Sequence, residues 1–77
     1  MVKTIWNFII DYENGEATEE EVIEGFQKMI DSGVVWSLQG SYGRTAADLI
    51  DAGLCQHAVE QHYDYWGNPL PTRFNNN

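Results

Sequence analysis

The sequence predicts an all-α fold, a small single domain of three to four short helices that self-associates. Three observations predict it. Ile5, Phe8, Ile9 and Tyr12 stand at i, i+3, i+4 and i+7, which puts them on one face of a helix. Thr18, followed three residues later by Glu21 and then by a wide apolar face, is the signature of a helix start. Ala46, Ala47, Leu49 and Ile50, closed by Gly53, form a third periodic run.

The first element covers residues 4–13. Trp6 and Ile10 widen its apolar stripe, and its β-branched content keeps a short strand as the alternative. Asn14-Gly15 ends it, with Gly15 suited to the left-handed position after a helix. In the second element, Glu19, Glu20 and Glu21 occupy the first turn, where the positive end of the helix dipole favours them. Val22, Ile23, Phe26, Met29 and Ile30 make the buried face, Lys28 lies near the C-terminal end, and Ser32-Gly33 stops the helix. Gly25 inside it costs about 1 kcal/mol relative to alanine. A gap-free approach by another helix would offset that cost.

Val34, Val35, Trp36 and Leu38 form a run too short for a typical helix, which reads as a helical turn on the core. The segment Gln39-Gly40-Ser41-Tyr42-Gly43-Arg44-Thr45 then reads as a loop with two glycines. The third helix follows, with Thr45 and Asp48 at capping-box spacing. Ser41 is the competing cap, which starts the helix one turn earlier. After Leu54 the pattern weakens, although Cys55, Ala58, Val59 and His62 could share a helical face to about Tyr63. The helical domain is therefore read as residues 1–63. Residues 64–77, with Pro69, Pro71 and three terminal asparagines, are read as an extended or flexible tail unless Tyr65, Trp66 and Phe74 dock on a partner. The expected core is Phe8, Ile9, Tyr12, Val22, Ile23, Phe26, Ile30, Trp36, Leu38, Leu49 and Ile50.

Composition narrows the function. At 77 residues the chain holds one small domain, and 43% hydrophobic residues suffice for a core. A chain of this length buries only about 60% of its unfolded surface, so a homo-oligomer, most simply a dimer, is expected, with Trp6, Trp66 or the aromatic tail as the contact. A single cysteine, Cys55, excludes an intramolecular disulfide. Twelve acids against four bases give a net charge of −8, which opposes binding to duplex nucleic acid and anionic membranes. No run reaches the roughly 18 apolar residues of a membrane span, and the N-terminus lacks the pattern of a signal peptide.

The glycine-arginine segment carries the chemistry. Glycines let a backbone approach a ligand, and a helix start offers free N–H groups and a positive dipole end. Arg44 can grip a phosphate with its planar fork. Gln39, Ser41 and Thr45 add hydrogen-bonding groups, Gly40 and Gly43 line the backbone, and Tyr42 or Trp36 can stack on a base or sugar. The segment is not a P-loop, because the Gly-Lys-Ser/Thr element is absent. The structural alternative is that Arg44 pairs with Glu24 or Asp48, that Ser41 or Thr45 is only a cap, and that the glycines only permit a tight turn. The acidic run around Glu19, Glu20 and Glu21, with Glu13, Glu16 and Glu24, is either a solvated helix start or a surface for a basic protein. Cys55, His57 and His62 lack the paired spacing of a zinc site, so no metal and no cofactor are expected. His57 lies two residues from Cys55, on a different helical face, and no nucleophile-base pair is visible; the protein is read as not an enzyme.

From about Phe8 to Cys55 the chain resembles a group of small bacteriophage proteins. The resemblance rests on Asp11-Tyr12-Glu13-Asn14-Gly15, on the acidic start Glu19-Glu20-Glu21, on Phe26, Ile30 and Ser32-Gly33, and on Trp36-Ser37-Leu38-Gln39-Gly40-Ser41-Tyr42-Gly43-Arg44-Thr45-Ala46. Leu49-Ile50-Asp51-Ala52-Gly53-Leu54-Cys55 closes it. The resemblance implies a phage origin and action in the cytoplasm of an infected bacterium, and it brings no reaction and no assigned site. Small accessory phage proteins often counter host immunity. The expectation is therefore an anti-defence protein that sequesters a phosphate-bearing nucleotide immune signal, with an acidic inhibitor of a host or defence protein as the alternative.

Overall fold

Threonines start the first two helices. The computed structural model describes residues 4–74; residues 1–3 and the terminal asparagines of the tail, 75–77, lie outside the described residues. Thr4 accepts a hydrogen bond from the Asn7 N–H at 3.1 Å and caps α1 (Ile5–Glu13). At the head of α2 (Glu19–Ser32), Thr18 Oγ1 accepts from the Glu21 N–H at 3.1 Å while Glu21 Oε1 accepts from the Thr18 N–H at 2.9 Å. This is the reciprocal cap expected from the sequence, and it satisfies two otherwise orphaned donors. Gly33 ends α2 at φ +82°, a left-handed conformation that L side chains rarely adopt. A single 3₁₀ turn, Val34–Ser37, then leads into α3 (Gly40–Asp51). The fold is an all-α small single domain, with only an isolated Tyr63–Pro69 bridge among the described residues outside the helices and turns.

The core is centred on α2. Phe26, Met29, Ile30 and Val35 are fully enclosed, and Phe8, Tyr42, Ala46, Cys55 and Ala58 complete it. Ile9, Tyr12, Val22, Ile23, Trp36, Leu38, Leu49 and Ile50 pack against it while only partly buried. Four rings join the three helices. Phe8 stacks on Tyr12 with centroids 5.7 Å apart, and Phe26 meets both edge-on at 5.8 and 5.4 Å. Tyr42 of α3 lies 5.8 Å from Tyr12 and 6.0 Å from Phe26. Gly25 is where α1 reaches α2: a Cβ there would stand 2.5 Å from three carbons of the Phe8 ring. The helix-weakening glycine thus admits a ring against the backbone, the offsetting contact that the sequence requires.

Two expectations are corrected. Trp6 and Ile10 do not widen the buried stripe but are exposed, because a 3.6-residue period places both about 200° from Phe8, on the outer face of α1. Cys55 to Tyr63 does not form a fourth helix. Its backbone groups bond elsewhere: Gln27 of α2 accepts from the Gln56 N–H at 2.8 Å and donates to the Gln56 carbonyl at 3.1 Å, imitating a backbone partner. The Ala58 carbonyl accepts from the Arg73 N–H at 2.8 Å, and the His62 carbonyl accepts from the Leu70 N–H at 2.9 Å. His62 lies over Gly33, with its Nε2 donating to the Asp31 carbonyl at 2.9 Å. Arg73 closes the arrangement, donating through Nε to the His57 carbonyl at 3.0 Å and pairing with Asp31 at 3.4 Å. Residues 54–74 therefore form an irregular strap along α2, with Cys55, Ala58 and Thr72 turned inward.

Gly25→Ala is expected to destabilise the fold by about 1–3 kcal/mol through overpacking against Phe8, even though alanine is the better helix former. For a domain this small that is a fall of roughly 4–8 °C in Tm per kcal/mol. Thermal unfolding followed by circular dichroism checks it; a raised Tm would show that Phe8 does not rest on the α2 backbone.

Candidate site at the head of the third helix

The residues from Gly40 to Thr45 are not a loop. They form the first turn and a half of α3, and Gln39 stands at the N-cap with no side-chain hydrogen bond to the helix. Neither Ser41 nor Thr45 caps it; both lie inside the helix. Packing explains the early start. Tyr42 and Ala46, four residues apart, are both buried, so the core requires helical geometry from the outset. Gly43 meets Trp36, whose Cε3 would be 3.7 Å from a Cβ at that position. In this setting neither Gly40 nor Gly43 adopts a positive φ.

The eight residues singled out from the sequence divide into two groups. Tyr42, Gly43 and Trp36 belong largely to packing. Tyr42 is only 7% exposed, and its hydroxyl donates to the Glu13 carboxylate, which ties α3 to the end of α1. Burial, and then the hydrogen bond and charge of Glu13, push its pKa up to about 12. A ring held this way does not stack on a ligand, so that expected role is corrected. Trp36 is half-buried with its indole against Gly43, which covers that side of the glycine backbone.

Gln39, Gly40, Ser41 and Arg44 face solvent, with Thr45 half-buried beside them. Arg44 Nη1 would lie 3.6 Å from a Cβ on Gly40, so the guanidinium sits over the opening turn. The expected internal partners do not engage it. Glu24 pairs with Lys28 at 3.6 Å, and Asp48 forms no ion pair with Arg44. Arg73 is held by Asp31, so among the described residues Arg44 is the one cation without an ion pair. The uncapped N–H groups at the head of α3 and this guanidinium make an open cradle with the electrostatics of an anion site. The net charge of −8 works against it at long range. A cleft of about 190 Å³, lined by Ile50, Gln56, His57 and Arg73, lies toward the other end of α3.

The remaining candidates have structural roles. Glu21 is committed to the α2 cap, whereas Glu19 and Glu20 are exposed. Cys55 is buried and donates to the Ile23 carbonyl at 3.4 Å; burial, helped by the charge of Asp31, pushes its thiol up, away from thiolate character. Among the described residues no group of three or more His, Cys, Asp and Glu side chains converges as a metal site. None of the helices of the described residues is long and apolar enough to cross a membrane. Sequence reasoning missed the Tyr42–Glu13 link and the closing role of Arg73. Of the first, only the inward turn of Tyr42 follows from its helical spacing with Ala46, Leu49 and Ile50, and only once the start at Gly40 is known; its Glu13 partner lies 29 residues away. The second had no local signal.

Three helices wound on an aromatic cluster, with an open cation at the start of the last, define a small all-α domain. The chain belongs to the family described as a domain of unknown function, DUF7417, whose sequence model matches residues 1–64. No curated protein and no solved structure matches it. The matched segment includes all three helices and every residue of the cradle.

One tyrosine is expected to ionise near pH 12 in a spectrophotometric titration, and to vanish from it in Tyr42→Phe. The folded value lies above the ordinary 10.0, so the stability Tyr42 contributes is whole below pH 10 and is lost as pH rises toward 12. Denaturant midpoints should fall more steeply across that window in the wild type than in Tyr42→Phe. Parallel curves would mean that the hydroxyl is not held by Glu13.

Proposed function

We propose that this protein is a non-enzymatic binding protein that sequesters a small phosphate-bearing ligand of the nucleotide class. Its setting would be the cytoplasm of an infected bacterium, where removing such an immune signal would serve a phage. The observation that supports this reading is Arg44, an exposed guanidinium without a carboxylate partner, placed over an uncapped helix start. Arg44 supplies the charge and the planar fork. Gly40 and Ser41 supply backbone N–H groups, and Gln39, Ser41 and Thr45 supply side-chain hydrogen bonds. Trp36 and Gly43 brace the turn from behind, and Tyr42 anchors it to the core. The arrangement suits holding an oxyanion and contains no paired nucleophile and base.

Calorimetric titration with inorganic phosphate, a cyclic dinucleotide and ADP-ribose tests the reading. At least one organic phosphate is expected to bind more tightly than phosphate alone. Arg44→Ala should weaken it by about 10–100-fold, the value of a charge-assisted hydrogen bond. Added salt should speed association, because it screens the repulsion from the net charge of −8. No binding by any of the three, or binding indifferent to Arg44, removes the cradle from consideration.

Exposed Glu19 and Glu20 favour a second reading, a stoichiometric inhibitor that docks its acidic helix start on a basic host or defence protein. Glu19→Lys with Glu20→Lys should then abolish a defined complex. Glu21 stays untouched in that test because it holds the α2 cap.

A further inference from the structure

Midway along the strap the chain makes a turn whose construction has no role in the fold so far described. Asp64 organises it: Oδ1 accepts from the N–H groups of Trp66 at 2.8 Å and Asn68 at 2.9 Å, and Oδ2 accepts from Asn68 Nδ2 at 3.4 Å. The Asp64 N–H donates to the Asn68 carbonyl at 3.0 Å, the Gly67 N–H donates to the Asp64 carbonyl at 3.0 Å, and Gly67 takes φ +84°. Tyr63 and Pro69 bridge across the base, where Gln61 Nε2 donates to the Leu70 carbonyl at 2.7 Å. What this turn presents is Tyr65 and Trp66, set edge to face at 5.0 Å and exposed by 79% and 80%. Two large rings are thus set edge to face on an ordered backbone turn and left in water.

We propose that this turn is the contact through which two copies of the chain pair. Charge is the first argument. In a molecule of net charge −8, residues 65–72 carry no charged side chain, and the Asp64 carboxylate is turned onto the N–H groups of the turn instead of toward solvent beside the rings. Two such acidic molecules meet less repulsion here than on the acidic helix start, whereas a partner selected by its basic charge finds only the Asp64 carboxylate, already engaged, on the turn. Area is the second argument. An aromatic side chain buries roughly 150–250 Å², so the two rings offer about two-fifths to three-fifths of the ~800 Å² that each side of a standard interface covers. Tyr63, exposed at the base of the turn where it bridges Pro69, is the neighbour that extends it. Order is the third: the backbone beneath the rings is already held by Asp64, so contact adds no cost of ordering the chain. A two-fold axis at the turn brings the same patch from both copies together, which closes the assembly at a dimer.

Sedimentation equilibrium of the full chain, from micromolar to millimolar concentration, tests this. The wild type should pass from 8.8 kDa to twice that mass. Replacing both Tyr65→Ser and Trp66→Ser should weaken pairing by at least about 30-fold, the loss expected for a hot spot. Because both rings lie in solvent, circular dichroism should be unchanged. Trp6→Ser, which removes an exposed ring from α1, should pair as the wild type does, and added salt should tighten pairing by screening the net charge. A wild type that stays monomeric overturns the proposal and leaves the turn to an unlike partner. A double variant that still pairs, or pairing lost in Trp6→Ser, overturns it too. Arg44→Ala should leave pairing intact, so failure here and failure of phosphate binding are read separately.

Discussion

The packing of four rings around Phe26 is the interaction on which the rest of the structure depends. Phe8 and Tyr12 come from α1, Phe26 from α2 and Tyr42 from α3. Each ring is placed by a local feature. Gly25 lets Phe8 sit on the α2 backbone, and Tyr42 is placed by starting α3 at Gly40. Aromatic pairs in such edge and offset geometries contribute about 0.5–1.5 kcal/mol each beyond their buried area. That matters in a chain with neither a disulfide nor a clustered metal site among its described residues to staple it.

The same cluster decides what the head of α3 can do. Because Tyr42 must turn inward, the residue two positions on, Arg44, is carried round to solvent on the helix. Because Tyr42 bonds Glu13, one carboxylate near this end of the bundle is engaged by a neutral hydroxyl instead of by Arg44. The cradle is therefore a by-product of core packing as much as of its own residues. For the proposed anion site, range decides: charges beyond about 8–10 Å are largely screened at physiological salt.

Helices one and two were legible because their signals are local. Thr18 and Glu21 state a cap within four residues, and the stripe Ile5, Phe8, Ile9, Tyr12 states a face within eight. The start of α3 was not legible from Gly40 and Gly43 alone, since glycine lowers helix propensity and the cost is recovered only in three dimensions, by Trp36 on Gly43 and Tyr42 among the rings. The strap was misread for the opposite reason. Cys55, Ala58 and Val59 mimic a helical face, but Gln27, far away in sequence, bonds the backbone of Gln56. Of the cradle, Arg44 and its position at a helix start were readable from residue types. The inward turn of Tyr42 became readable only with the helix boundary, which depends on tertiary packing.

The strap's attachment has a consequence for how the molecule opens. It is held to α2 by polar side chains, Gln27 on Gln56, His62 on Asp31 and Arg73 on Asp31, and by the small buried residues Cys55 and Ala58, while the four core rings lie on the helices. Removing the strap breaks none of the contacts among the four core rings. Amide protection should accordingly fall into two tiers, with residues 55–74 exchanging through a subglobal opening and α2 only on global unfolding. A protein built this way can renew or release whatever residues 55–74 hold while its helices stay assembled.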